Sequence, residues 1–216
     1  MTIDIQDEHR FRAPFIRTSD LSARERYELL TSLVVPRPIG WLSTYSRNGS
    51  PNIAPFSYFA AIADSPMLVA ASIGHRRGEL KDTIRNIRET GAFCVNVVTE
   101  RQLERMNVTA GDYPPDVDEF AIAGLEAARA EEVDAPYVVD CPAVMECRLF
   151  QELQLEGVPT SVIFGEVMAV RLDTELERVP GSYHVDTEAL APVGRLWAGA
   201  YALLGEIKVL HRPRVG

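Results

Sequence analysis

The sequence predicts a mainly antiparallel β-barrel with helical insertions, and three features of the 216-residue chain lead to that prediction. A strong hairpin signal, Asn48-Gly49, joins two strand-like segments, because both residues tolerate positive φ. Two apolar runs, 67–74 and 92–98, have the length of buried strands. Two long strands follow near 144–155 and 160–172, separated by a short turn. Strands therefore dominate over helices, as in a barrel.

The first half of the chain alternates one helix with strands. A short amphipathic helix is predicted over 21–34, with Ser19, Asp20 or Ser22 as its cap and Pro36 and Pro38 beyond its end. Residues 39–46 form the first strand of the hairpin. The returning strand begins near Asn52, where Pro51 and Pro55 confine it to a sheet edge or to a bulge.

Two further helices are predicted before a long irregular stretch. Residues 82–90 read as a helix with Asp82 as N-cap and Gly91 as its stop, and 100–106 read as a short helix. Residues 110–142, rich in Gly, Pro and Asp, show no clear element. A loop of that length is unusual in a compact domain unless it is functional or covered by a partner.

Composition and charge limit the function. Apolar residues make up 46% of the chain and charged residues 25%, as in an ordinary globular domain. The net charge of −9 argues against nucleic-acid binding. No secretory signal or membrane-spanning run is visible. Three cysteines without CxxC spacing predict neither disulfides nor zinc, and the scattered histidines predict no metal site. We therefore expect a cytoplasmic, reduced protein.

The segment SIGHRRGELKDT (72–83) predicts an anion site. A buried strand leads through a glycine-bearing connection into a helix start, where free N–H groups and the helix dipole favour negative charge. Arg76, Arg77 and Lys81 add positive charge, Thr83 offers a hydroxyl donor, and His75 could donate to an anion. The alternative is a solvated loop with ordinary surface cations.

The segment NIAPFSYF (52–59) predicts a surface for a flat ring. Two prolines and an intervening bulge would leave backbone groups outside the ladder, free to pair with the edge of a heterocycle. Asn52, Ser57 and Ser43 are small polar side chains nearby, and Phe56, Tyr58 and Trp41 supply aromatic surface. The alternative is a hairpin whose aromatic residues fill the barrel.

In their order along the chain these segments resemble the flavin reductase-like FMN-binding split-barrel family, particularly its flavoredoxin-like branch. The landmarks are PRPIGWLST, Asn48-Gly49, NIAPFSYF, KDTIRNI, TGAFCVNVV, DEF at 118–120, FGEV at 164–167 and PVGRL at 192–196. The resemblance implies a six-stranded antiparallel split barrel over residues 21–210, after an N-terminal extension of residues 1–20. It also implies a homodimer that holds FMN in a groove near the subunit interface.

The resemblance implies roles for particular residues as well. Ser43 and Thr44 would lie along the flavin, and the ring would be contacted mostly by backbone. Lys81 and Thr83 would hold the phosphate together with His75 or Arg76, and Arg195 would have a cofactor or interface role. The full set of expected cofactor contacts is Ser43, Thr44, Asn52, Ala54, Pro55, Phe56, Ser57, Tyr58, Phe59, His75, Arg76, Lys81, Thr83 and Arg195.

The implied activity is an NAD(P)H-dependent flavin reductase that transfers hydride to FMN N5, with a monooxygenase or a redox protein as partner. The flavin would carry the redox chemistry, so no catalytic acid or base is expected from the protein. One alternative is a flavoredoxin-like electron carrier that does not itself oxidise NAD(P)H. Another is a split barrel that binds a different ligand, such as a haem, or acts as a sensor.

Overall fold

The computed structural model describes residues 15–75, 78–114, 117–211 and 213. Arg76, an expected phosphate contact, and residues 1–14 of the expected N-terminal extension lie outside the described residues. The strands are β1 (Arg37–Pro38), β2 (Gly40–Tyr45), β3 (Pro51–Phe56), β4 (Phe59–Asp64), β5 (Met67–Gly74), β6 (Ala92–Val97), β7 (Ala127–Arg129), β8 (Pro136–Val138), β9 (Ala143–Gln154), β10 (Thr160–Leu172), β11 (Gly194–Arg195) and β12 (Tyr201–Ala202). The prediction of a mainly β fold is confirmed.

The described residues contain fewer helices than strands. They are α1 (Ala23–Leu33), α2 (Asp82–Thr90), α3 (Leu103–Val108), α4 (Glu119–Ile122) and α5 (Thr187–Leu190), with single 3-10 turns at Thr18–Asp20 and Glu100–Gln102. Within the described ranges, no helix combines the length and the apolar content that crossing a membrane requires.

Seven strands form one antiparallel sheet in the order β3-β2-β6-β9-β10-β5-β4. Its two edge strands are consecutive in the chain, joined only by Ser57 and Tyr58. A flat seven-stranded sheet would hold its edges roughly 29 Å apart, at about 4.8 Å per neighbour. The sheet must therefore curl until its edges approach each other. Phe59 of β4 accordingly packs on Gly40 of β2, where an added Cβ would lie 2.6 Å from Phe59 Cδ2.

The curl gives the split-barrel arrangement. Counting β3 and β4 as one bent strand leaves the six strands expected of such a barrel. The register between β2 and β3 is continuous, with Gly40 opposite Phe56 and Tyr45 opposite Pro51. The bulge predicted in this returning strand is therefore wrong, because the prolines occupy regular edge positions. A bulge lies instead in the β4–β5 ladder, between Ala61 and Ala63.

Helix α2 packs into the inside of the curled sheet. Ile84 and Ile87, three positions apart and thus on one face, are fully buried in the apolar cluster between the strands. Gly91 ends the helix in the left-handed conformation, with φ of 69°. Lys81, rather than the predicted Asp82, occupies the N-cap, and Asp82 is the first helical residue.

A second apolar cluster covers the outer face of β2, β3, β6 and β9. The stretch 110–142, predicted to be irregular, contributes α4 and the β7–β8 hairpin to this layer. These elements have only three or four residues each, too few to show a periodic pattern in the sequence. The fully buried Trp41 connects the layers, since its indole Nε1 donates to Thr109 Oγ1 at 2.9 Å.

Arg37 ties the end of α1 to the small sheet β1-β11-β12. Its guanidinium is buried and donates to the carbonyls of Thr31 (2.8 Å), Val34 (2.7 Å) and Leu196 (2.6 Å). Two of these carbonyls lie at the end of α1, where the helix leaves its last C=O groups unpaired. Arg37 therefore acts as a C-terminal cap from outside the helix.

The three cysteines are unpaired and buried. Cys94, predicted to be a small core residue, is fully buried in the outer cluster. Burial raises the pKa of Cys141 and of Cys147 to about 12. All three side chains are thiols rather than thiolates at neutral pH, which makes them poor nucleophiles.

Candidate functional site

A cleft of about 320 Å³ opens between the edge strand β3, the start of α2 and the segment after α3. Its volume lies within the roughly 300–1,000 Å³ range of small-molecule sites. The cleft brings together part of the predicted ring surface and part of the predicted anion site. Expected cofactor contacts that line it are Asn52, Ala54, Pro55, Lys81 and Thr83. The remaining lining residues are Glu79, Leu80, Asp82, Arg85, 109–113 and Glu119.

The start of α2 places backbone donors and the Lys81 ammonium on one wall of the cleft, which also carries the Glu79 and Asp82 carboxylates. The N–H groups of Ile84 and Arg85 donate to the Lys81 carbonyl at 3.0 and 3.1 Å, and these are the first hydrogen bonds of the helix. The N–H groups of Asp82 and Thr83 precede them and belong to the helix start, where N–H groups have no carbonyl of the helix as partner. The Lys81 ammonium lies 5.4 Å from the centroid of the Phe56 ring. Helix dipole and ammonium together favour an anion at this wall.

Asn52 is the centre of a buried hydrogen-bond network at this cleft. Its Oδ1 accepts from the hydroxyls of Thr83 (3.0 Å) and Thr44 (3.3 Å). Its Nδ2 donates to both carboxylate oxygens of Glu119, at 3.1 and 3.0 Å. Thr44 also accepts from Asn86 Nδ2 at 3.0 Å. The network joins β2, β3, α2 and α4 through buried polar groups that satisfy one another.

The outer edge of β3 offers few free donors. Ile53 donates its N–H to Glu119 Oε2 at 3.3 Å, so this N–H faces away from β2. Because the direction of the backbone nitrogen alternates along a strand, the nitrogens of Pro51 and Pro55 also face outward. Proline carries no N–H, so these two positions expose no donor. The edge therefore presents carbonyl oxygens and flat pyrrolidine rings to its surroundings.

Glu119 is a site residue that the sequence prediction missed. It is the first residue of α4, which Asp118 caps by accepting from the Ala121 N–H at 3.1 Å. Burial raises the pKa of the Glu119 carboxyl, against the opposing effect of the hydrogen bonds from Ile53 and Asn52. A lone glutamate beside an aspartate reads as solvent-exposed. In the sequence, Glu119 was noted only as part of the DEF segment at 118–120, and that segment does not indicate a buried side chain.

Other predicted contacts on β2 and β3 serve the packing. The Ser43 hydroxyl donates to the Pro136 carbonyl at 2.5 Å in the outer layer, and is fully buried there. Phe56 belongs to the cluster inside the curl. Ser57 accepts a 3.4 Å hydrogen bond from Arg37 Nε, and Tyr58 is 41% exposed. The side chains of these residues and of Phe59 do not line the cleft.

Two further expected contacts, His75 and Arg195, also lie outside the cleft lining. His75 donates its backbone N–H to the Pro159 carbonyl at 2.8 Å, and its buried Nε2 has no hydrogen-bond partner among the described residues. The Arg195 guanidinium stacks 4.5 Å from the centroid of the Tyr201 ring and donates to the Ala198 carbonyl. Among the described residues, no group of three or more His, Cys, Asp or Glu side chains could hold a metal ion.

Comparison with known proteins identifies the family. Residues 32–187, which include the cleft and most of the curled sheet, match the family described as "Flavin reductase like domain". The chain belongs to this flavin reductase-like family. The resemblance predicted from the sequence is thereby confirmed.

The names of the solved structures similar to this flavin reductase-like protein give them several different roles. Nitrilotriacetate monooxygenase component B from Bacillus cereus is 32% identical with a TM-score of 0.86, covering 91% of this chain and 98% of its own. The 2-nitrobenzoate 2-nitroreductase of Pseudomonas fluorescens is 30% identical with a TM-score of 0.84, covering 92% and 96%. The flavoredoxin of Desulfovibrio vulgaris is 28% identical with a TM-score of 0.71, covering 82% and 91%. The family thus supports a flavin-dependent oxidoreductase.

Proposed function

We propose that this flavin reductase-like protein binds FMN in the cleft at the start of α2 and reduces it with NADH or NADPH. The observation that carries the proposal is the meeting, in one cleft, of a positive helix start and the donor-poor edge of β3. The first suits a phosphate and the second suits the side of a flat ring.

The lining of the cleft would serve the two ends of FMN differently. Lys81 and the first N–H groups of α2 would hold the phosphate. Ala54 and Pro55 would lie along the ring. The chemistry that FMN supplies when bound is the acceptance of hydride from a nicotinamide and the onward transfer of its electrons. The protein itself would bind and orient the flavin, with the Asn52 network fixing the groups behind the cleft.

We further propose that the reduced flavin serves a monooxygenase or another redox protein. The 32% identity to a protein named as a monooxygenase component supports this partner class. We also propose a cytoplasmic location, because the three cysteines are unpaired, as is usual in a reducing compartment.

We also propose that two copies of the chain associate through the side of the sheet that ends at β4. Residues 60–64 of this strand are all exposed, and its outer N–H and C=O groups form a sheet edge. Beside it, register places Ala60, Ala70 and Phe164 in one row on the same face. An apolar row beside an open edge favours association with a matching surface.

Lys81→Ala tests the placement of the phosphate. We expect the affinity for FMN to fall about 10-fold, because one charge-assisted contact is lost, while the affinity for riboflavin stays unchanged. Titration of the apoprotein by flavin fluorescence measures both constants. Lys208→Ala, an exposed lysine near the C-terminus, is the matched control. An unchanged FMN affinity in Lys81→Ala would place the phosphate elsewhere.

A carrier without its own NAD(P)H oxidation is the second candidate, supported by the 28% identity to a flavoredoxin. Anaerobic mixing of the FMN-loaded protein with NADH and with NADPH separates the two functions. Loss of the oxidised flavin absorbance with either nucleotide supports the reductase. Flavin that stays oxidised with both nucleotides, yet is reduced by dithionite, leaves the carrier.

A further inference from the structure

We propose that Glu119 is a positioning residue that sets the phosphate end of the cleft by fixing the orientation of the Asn52 side chain. The assignment rests on the proposed FMN site and adds a residue that the sequence reasoning did not include. Glu119 reaches this site from α4, across 67 positions of sequence from Asn52.

The first step is the orientation of the Asn52 amide. Both Glu119 oxygens lie within 3.1 Å of Asn52 Nδ2, and one of them also accepts from the Ile53 N–H at 3.3 Å, so the NH₂ group of Asn52 faces Glu119 as a donor. The amide oxygen then faces the opposite way, toward the hydroxyls of Thr83 and Thr44, at 3.0 and 3.3 Å. Glu119 is thus the member of the network that excludes the flipped amide.

The second step leads from Asn52 to the helix start. Thr83 is the second residue of α2 and is fully enclosed, with 1% of its surface exposed. Its hydroxyl is tethered to Asn52, which holds the first turn of α2 against β3. The backbone N–H groups of that turn are those that would meet a phosphate. Their direction toward the cleft therefore depends on Asn52, and through it on Glu119.

Electrostatics alone gives the opposite expectation for Glu119. A carboxylate that lines an anion site repels a phosphate, so its removal would strengthen FMN binding if charge were its only influence. Positioning predicts weaker binding after the same change. The sign of the effect therefore distinguishes the two roles.

The experiment compares FMN with riboflavin, which lacks the phosphate. For Glu119→Ala we expect about 10-fold weaker FMN binding and less than about 2-fold change for riboflavin. A variant that merely destabilises the fold would lower both affinities by the same factor. Glu119→Gln retains the size and one acceptor oxygen and should stay within about 3-fold of the wild type for FMN. Glu126→Ala, exposed on the same segment, is the control.

A double-mutant cycle tests the path through Asn52. If Glu119 acts through Asn52 on Thr83, then Glu119→Ala combined with Thr83→Val weakens FMN binding no more than the larger single change. Should Glu119→Ala not fold, Glu119→Asp repeats the test, since its shortened side chain cannot keep all three hydrogen bonds.

Several results would overturn the assignment. They are tighter FMN binding in Glu119→Ala, an unchanged ratio of FMN to riboflavin affinity in Glu119→Ala, or additive effects in the cycle. If the wild-type protein binds riboflavin and FMN equally, the phosphate site fails together with this assignment. If it binds neither, the proposed function itself fails.

Discussion

The two edges of the curled sheet are built in opposite ways. At β3, prolines occupy two of the outward positions, and the N–H between them, from Ile53, is bonded to Glu119. At β4, residues 60–64 are exposed and include no proline. One edge is closed by the chain itself, whereas the other stays open.

This difference separates the two kinds of surface that the proposed function needs. The closed edge borders the cleft, where a small molecule would be held by groups already fixed in place. The open edge carries only a bulge between Ala61 and Ala63 as protection against pairing with other chains. An open edge beside an apolar row fits a contact between protein copies better than it fits a ligand site.

The largest effect is expected at the closed edge. Asn52→Ala removes the side-chain donor to the buried Glu119 carboxylate and the acceptor of two hydroxyls, and should lower the free energy of unfolding by about 3 kcal/mol. Urea unfolding followed by circular dichroism measures this loss. Ala63→Ser on β4 is the counterpart, with an expected change within about 0.5 kcal/mol. Equal losses at both positions would remove the distinction between the edges.

A middle-sized effect is expected at the open edge, and in association rather than in folding. Ala60→Lys places a long cation at the exposed end of this apolar row, so the dimer dissociation constant should rise at least about 10-fold. Sedimentation velocity over a range of concentrations measures it. Ala127→Lys, a matched exposed alanine on β7, should leave association unchanged. The proposed contact is wrong if Ala60→Lys dimerises as the wild type does.

The sequence predicted the parts of the molecule that local patterns determine. The hairpin at Asn48-Gly49, the long strands β9 and β10, and the edge position of β3 follow from turn chemistry, strand length and the missing N–H of proline. The helix start at Lys81 was predicted to within one residue. Two of the three segments that line the cleft, β3 and the start of α2, were therefore within reach of the sequence.

The parts that it did not predict depend on partners far along the chain. Glu119 is a charged residue of a type that is normally exposed, and it is buried by hydrogen bonds from Asn52 and Ile53, which lie 67 and 66 positions away. Ser43 faces the outer layer because strand alternation places it opposite the buried Leu42. Ser43 packs against a layer formed by residues 110–142, which were predicted to be irregular. The sequence therefore did not show toward which face the Ser43 side chain points.

The smallest effect is expected at an ion pair remote from both edges, and it calibrates the larger ones. Arg88 of α2 donates to both carboxylate oxygens of Glu152 on β9, at 2.8 and 2.6 Å, with the two side chains 34% and 17% exposed. Arg88 lowers the pKa of the Glu152 carboxyl below its ordinary value of 4.5.

A carboxyl with a lowered pKa stabilises the folded state when the pH is above its ordinary pKa. This contribution disappears as the pH falls through the pKa of the folded state. Glu152→Gln should thus lose about 0.5 kcal/mol at pH 7 and less at acidic pH, with the exposed Glu126→Gln as control in urea unfolding. A loss that persists at low pH would mean that packing, rather than charge, holds α2 to β9.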